Sequence, residues 1–136
     1  YTNLNTLSLH DLFRSNAGFI YHQKKKDLVK GREYYSAAME ADPGYLDAVY
    51  MLGLMHIDAS NVVVEKMNDL PRNAKKEYDK LNAEKDVELA NALVYFEKAY
   101  GINAKDDATL QALREVYYKL GKYDDAKRIM EEMGNI

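Results

Sequence analysis

Apolar residues recur at three- and four-residue spacing along nearly the whole chain, and alternation with a period of two is never sustained. A chain patterned this way buries one stripe of each of several helices and offers no face on which to build a sheet. Breaks in the pattern are few. Asp42-Pro43-Gly44 stops one run, because proline cannot continue the helical ladder and glycine relieves the backbone. Leu70-Pro71, Gly101-Ile102-Asn103 and Gly121 mark the others. The spacing predicts helices from Leu9 to Gln23, with Ser8 or Asp11 as a cap, from Leu28 to Ala41, and from Leu46 toward Met67. It then predicts one long or kinked helix from Arg72 to Tyr100, and a final pair from Asp107 to Leu120 and from Tyr123 to Met133. Short connections between neighbours make antiparallel hairpins.

Charge and residue usage exclude several functions. The 136 residues carry 19 basic and 22 acidic groups, a formal net charge of -3, which gives no electrostatic footprint for nucleic acid. No apolar run reaches the roughly 18–20 residues needed to span a bilayer. Without cysteine there is no disulfide, no thiolate nucleophile and no cysteine-based zinc site. The chain opens on Tyr1 rather than Met, as expected of a processed or trimmed N-terminus.

The helices also repeat. Val49, Leu52, Gly53 and His56 have the relative spacing of Leu110, Leu113, Arg114 and Tyr117, and Ala17, Gly18 and Tyr21 follow it more loosely. In the second helix of each pair, Gly31, Tyr35 and Ala38 match Ala92, Phe96 and Ala99, and then Ala126, Met130 and Met133. Small residues at Gly31, Ala38, Gly53, Ala92 and Ala99 let helix axes approach, and large neighbours fill the gaps. This register resembles the tetratricopeptide repeat, a helical hairpin of about 34 residues. The resemblance covers residues 12–133 and is strongest from Tyr34 to His56. Ala104, Arg114 and Met133 depart from it, where the repeat expects proline, glycine and alanine.

The resemblance implies an all-α fold of antiparallel helical hairpins stacked as a right-handed α–α superhelix of about three repeats. Their expected bounds are about 12–45, 46–106 and 107–136. Leu46 and Ala92 lie 46 positions apart, where an ordinary repeat separates them by about 19. The middle repeat is therefore expected to hold an insertion at about 60–88, a projecting hairpin tipped at Leu70-Pro71. The chain further resembles tetratricopeptide proteins of Bacteroidetes, many of them exported, which implies a periplasmic or other exported location.

Binding in this family falls on the concave face of the first helices. Carried over, those positions are Leu12, Ser15, Phe19 and His22, then Asp47, Tyr50, Leu54 and Ile57, then Ala108, Gln111, Glu115 and Tyr118. Phe19, His22, Asp47, Tyr50, Leu54, Gln111, Glu115 and Tyr118 are the peptide-groove candidates. Members that grip a terminal carboxylate use lysines and asparagines there. Here Ser15, Asn16, Phe19, Tyr50, Met51 and Leu54 stand instead, so a carboxylate clamp is not expected. His22 and His56 lie near the ends of first helices, but no HxxxH or HExxH spacing supports a metal site. Lys24-Lys25-Lys26 with Lys30 and Arg32 read as a solvated turn rather than an anion-binding patch.

No catalytic residue, cofactor or metal is expected, and no nucleic-acid partner. Two functions remain. The first is docking of a protein or peptide in the groove. The second is a scaffold, with the chain self-associating or forming part of a longer solenoid. It would use the insertion and a C-terminal face where Leu120, Ile129, Met130 and Met133 lack a polar capping helix.

Overall fold

The computed structural model describes residues 16–20, 22 and 27–134. The expected caps Ser8 and Asp11, groove positions Leu12 and Ser15, repeat residue Tyr21 and the run Lys24-Lys25-Lys26 lie outside them. Residues 16–20 and 22 are helical, and five full helices follow. Helix α1 spans Leu28–Ala41, α2 Leu46–Asn68, α3 Lys75–Ile102, α4 Asp107–Lys119 and α5 Tyr123–Gly134. Each packs chiefly on the next in sequence, so the molecule is a row of antiparallel hairpins.

Local chemistry sets the ends. The Asp27 carboxylate accepts the Lys30 N–H at 3.1 Å and starts α1. At its far end Asp42 N–H donates to Ala38, the Asp42 side chain accepts from Gly44 N–H at 3.0 Å, and α2 follows. Asn103 does the same after α3: its N–H donates to Ala99, and its side chain accepts from Lys105 N–H at 3.0 Å. Ala104 thus replaces proline without loss of the turn, because the side chain at the preceding position builds it. Asp106 then caps α4, accepting from both the N–H and the hydroxyl of Thr109 at 3.0 and 2.7 Å. Gly121, at φ 76°, ends α4; its N–H reaches Tyr118 O at 3.0 Å and Lys122 N–H reaches Tyr117 O at 2.8 Å.

The 72–100 region is one unbroken helix. It begins at Lys75 rather than Arg72, because Ala74 N–H closes a turn on Pro71 O at 3.1 Å. It also runs through Gly101 and Ile102, which form its last turn instead of a stop. Helices α2 and α3, of 23 and 28 residues, make the most extensive pair. From 64 to 88 no residue of that pair is buried.

Two apolar clusters hold the row together. Tyr35, Leu52 and Met55 form one. Leu89, Ala92, Phe96, Leu110, Leu113 and Ile129 centre the larger one. The small residues sit where axes cross: a Cβ on Gly18 would meet the Tyr35 ring at 2.8 Å, and one on Gly53 the Phe96 ring at 2.5 Å.

The C-terminal face differs from expectation. Ile129 is 1% exposed, and Leu120 and Met133 pack against the larger cluster. Ala126, Ile129 and Met133 are three and four residues apart, so they share the inward stripe of α5. Only Met130 of the expected four is exposed, at 55%.

Candidate functional site

Asp47, Tyr50, Leu54 and Ile57 follow one another by three, four and three residues on α2, beside the stripe that enters the core. Ala108, Gln111 and Glu115 form the corresponding stripe on α4. Between the two stripes lies a depression of about 200 Å³, with Phe96 of α3 at its base and Tyr50, Leu54, Gln111 and Glu115 on its walls. A second depression, of about 220 Å³, lies between the N-terminal helical residues and α2. Asn16, Phe19, Tyr45, Asp47 and Tyr50 surround it, with Tyr35 of α1 below. Tyr50 borders both, leaning on Phe96 at a ring separation of 5.5 Å.

The charges here are acidic. Glu115 is held by Lys119 at 3.1 Å, and Gln111 donates to Asp107 at 2.7 Å. Burial, then the nearby charges of Asp106 and Glu115, push the Tyr50 phenol above its ordinary range. Among the described residues, no lysine or arginine lines either depression.

Six of the eight predicted groove residues therefore come together: Phe19, Asp47, Tyr50, Leu54, Gln111 and Glu115. The other two do not. His22 is 2% exposed, its Nε2 donates to Asp58 at 2.6 Å, and its ring meets Tyr35 edge-on. Tyr118 is 65% exposed and rests against Tyr123 of α5, clear of both depressions. The helical turn has carried each past the groove onto the next face.

His22 and His56 do not converge. His56 Nδ1 donates to Glu88 at 2.8 Å, and its ring stacks on Tyr95. Each histidine thus ties one helix to another through its own carboxylate. Among the described residues, no three of His, Asp and Glu gather closely enough to hold a metal. Sequence reasoning missed Tyr45 and the bases Tyr35 and Phe96, which it read as packing alone. Their shared register on the second helix of each pair was the available signal. Glu88 gave none, being 32 residues from His56.

Comparison with known proteins bears on this arrangement. Residues 82–136 match the tetratricopeptide repeat family. That match covers less than half of the chain. The match takes in most of α3 and all of α4 and α5, including the Gln111 and Glu115 side of the groove. The whole chain is similar in fold to a solved structure of an IFIT1 monomeric mutant with Gppp-AAAA. There the TM-score is 0.72 and the identity 18%, over 96% of this chain and 27% of that one. A second IFIT1 monomeric mutant, with m7Gppp-AAAA, gives 0.71 and 18% over 90% of this chain and 25% of that one. This chain spans about a quarter of the length of either, and identity at that level shows the shared all-α hairpin fold alone. No curated protein matches it in sequence.

Proposed function

We propose that this tetratricopeptide-repeat chain is a protein-interaction module that docks a peptide segment of a partner along the groove between α2, α4 and the N-terminal helical residues. The observation that carries the reading is the pair of adjoining depressions. Each is based on an aromatic from a second helix, Tyr35 or Phe96, and both share Tyr50. A chain laid across Tyr50 would place side chains in both at once, as peptide grooves built from aromatics do. The likeness to the IFIT1 mutants, at 18% identity, is one of fold and does not bring the compound present with them to this groove.

The test is selection from a displayed peptide library, followed by NMR mapping of the best binder. Resonances of Tyr50, Leu54 and Gln111 should move, and Tyr50→Ala should weaken binding about tenfold or more, as truncating a central aromatic anchor does. Binders that map elsewhere and ignore Tyr50→Ala would sink the reading.

A scaffold role is the second reading, and one observation favours it. An apolar trough of about 690 Å³ runs along the outer hairpin beside the start of α1, walled by Leu28, Ala59, Val62, Val63, Ala83 and Val87. Val62 and Val87 are exposed there. The buried C-terminal Ile129 leaves this hairpin as the surface such a role would use.

A further inference from the structure

The inward stripe of α5 is closed by Ile129, but the stripe beside it is open. The repeat register carries Leu89, Leu93 and Phe96 of α3 onto Tyr123, Lys127 and Met130 of α5, with the buried Ala92 and Ala126 as its fixed point. It likewise carries Ile57 of α2 onto Tyr118 of α4. In the middle hairpin these positions are covered. Leu89, Leu93 and Phe96 are buried in the larger cluster with Leu110, Leu113 and Val116 of α4, and Ile57 packs against it. In the last hairpin they are uncovered: Tyr118 is 65%, Tyr123 61% and Met130 55% exposed, and Lys127 is exposed among them.

The other half of the same contact is open at the opposite end of the row. Gly18 and Gly53 share one register position, each against the ring of its own hairpin's second helix, Tyr35 or Phe96. Ile20 and Met55 follow those glycines by two residues, and Val116 follows Arg114 in the same way. Met55 and Val116 both reach back onto the preceding hairpin. Met55 clusters with Tyr35, and its methyl lies 3.2 Å from where a Cβ on Gly31 of α1 would stand. Val116 lies in one cluster with Phe96. Ile20 holds their place in the first hairpin and is 45% exposed.

The molecule thus shows twice what covers such a face: a first helix whose residue at the Met55 position lies over the residue at the Phe96 position. A third pairing, Ile20 with Met130, joins opposite ends of the row and is open only to two copies. We infer that this chain associates head to tail, the first helix of one copy lying over α4 and α5 of another, with Ile20 against Met130 and Tyr123. The contact uses neither the groove nor the trough of the outer hairpin. It is heterologous, so each pairing leaves one head and one tail free and copies add in a row. The stem of Lys127 can lie along the apolar face with its ammonium group in water. A contact of one helix on one hairpin is small, and small interfaces are transient. If the groove reading holds, such a row would also lengthen the groove, since Gln111 and Glu115 of one copy would adjoin Asn16 and Phe19 of the next.

The test is sedimentation equilibrium from about 10 μM to about 1 mM, the range in which small interfaces associate. The average mass of the parent chain should rise with concentration and show no plateau at the dimer. Met130→Glu blocks the tail and Ile20→Glu the head, both at half-exposed positions, so each variant should keep the helix content and melting temperature of the parent. Each alone should associate at least about tenfold more weakly, as loss of a central anchor does, and stay monomeric over this range. Mixed in equal amounts they should form a dimer and nothing larger, because the mixture holds one intact tail and one intact head. If Met130→Glu melts early, Tyr123→Glu blocks the same face from a more exposed position. Val87→Glu, in the trough, should associate as the parent does. A parent chain that stays monomeric would overturn the inference and leave the end face to a helix of another protein. A plateau at the dimer, or a mixture that does not associate, would overturn it as well. So would association lost in Val87→Glu and kept in the other two, which would put the contact in the trough.

Discussion

Gly53 and Gly101 are both glycines within helices, and replacing each by alanine should act with opposite sign. A Cβ at Gly53 would sit 2.5–2.8 Å from the fully buried ring of Phe96, whereas one at Gly101 meets nothing within 4 Å. Alanine gains up to about 1 kcal/mol over glycine through helix propensity, but forcing a methyl group into a filled core costs about 1–3 kcal/mol. Urea denaturation should therefore find Gly53→Ala less stable than the parent and Gly101→Ala unchanged or slightly more stable. A Gly53→Ala chain as stable as the parent would mean that Phe96 shifts aside freely, and the crossing would not be a tight one. The same register explains Arg114, which takes the glycine position of the last repeat. Met130 stands there in place of Phe96 and is exposed, so no ring presses on that site and a large side chain is tolerated.

Along the elements, stability should be unevenly spread. Helix α3 reads as one helix, but its buried residues begin only at Leu89, and those of α2 end at Val63. Residues 64–82 are held by their own hairpin and by exposed ion pairs such as Lys75–Asp79, which add little. Amide hydrogen exchange should be markedly faster there than at 89–99, and the rates should not depend on protein concentration. Slower exchange at 59–63 and 80–87 in concentrated solution would instead favour the scaffold reading, because two copies would be covering the Val62–Val87 trough. The helix order and most boundaries were legible in the sequence, because proline, glycine and apolar spacing act locally. The start of α3 was not, since the Pro71–Ala74 turn depends on backbone geometry that composition does not display. Nor were His22 and Tyr118. Stripe arithmetic assigns a residue to a face of its own helix, but whether that face opens on a groove depends on the neighbouring helix. Asp58 and Tyr123 decided those two positions.

For the whole molecule, the two clusters share a sensitivity to alkaline pH. Tyr35 belongs to the N-terminal cluster and Tyr117 to the C-terminal one. Burial first, and the Tyr45 charge after it, pushes the Tyr35 phenol up to about 12. Burial, followed by the hydrogen bond it donates to Glu97 at 2.8 Å, does the same for Tyr117. An unfolded tyrosine ionises near 10. Below that pH both states hold the protons and these two groups give no pH dependence. Between about 10 and 12 only the unfolded chain releases them, so stability falls as pH rises through the window. Thermal melts at stepped pH should show the midpoint dropping steeply from pH 10 upward, and Tyr35→Phe or Tyr117→Phe should each make the drop shallower. At neutral pH the two substitutions should diverge. Tyr117→Phe deletes a hydrogen bond and leaves Glu97 without it, a loss of about 1 kcal/mol, while Tyr35→Phe removes a hydroxyl that has no partner among the described residues and should be neutral or stabilising. Equal destabilisation by both would show that the Tyr35 hydroxyl finds a hydrogen-bond partner in solution, and the divergence expected between the two positions would be lost.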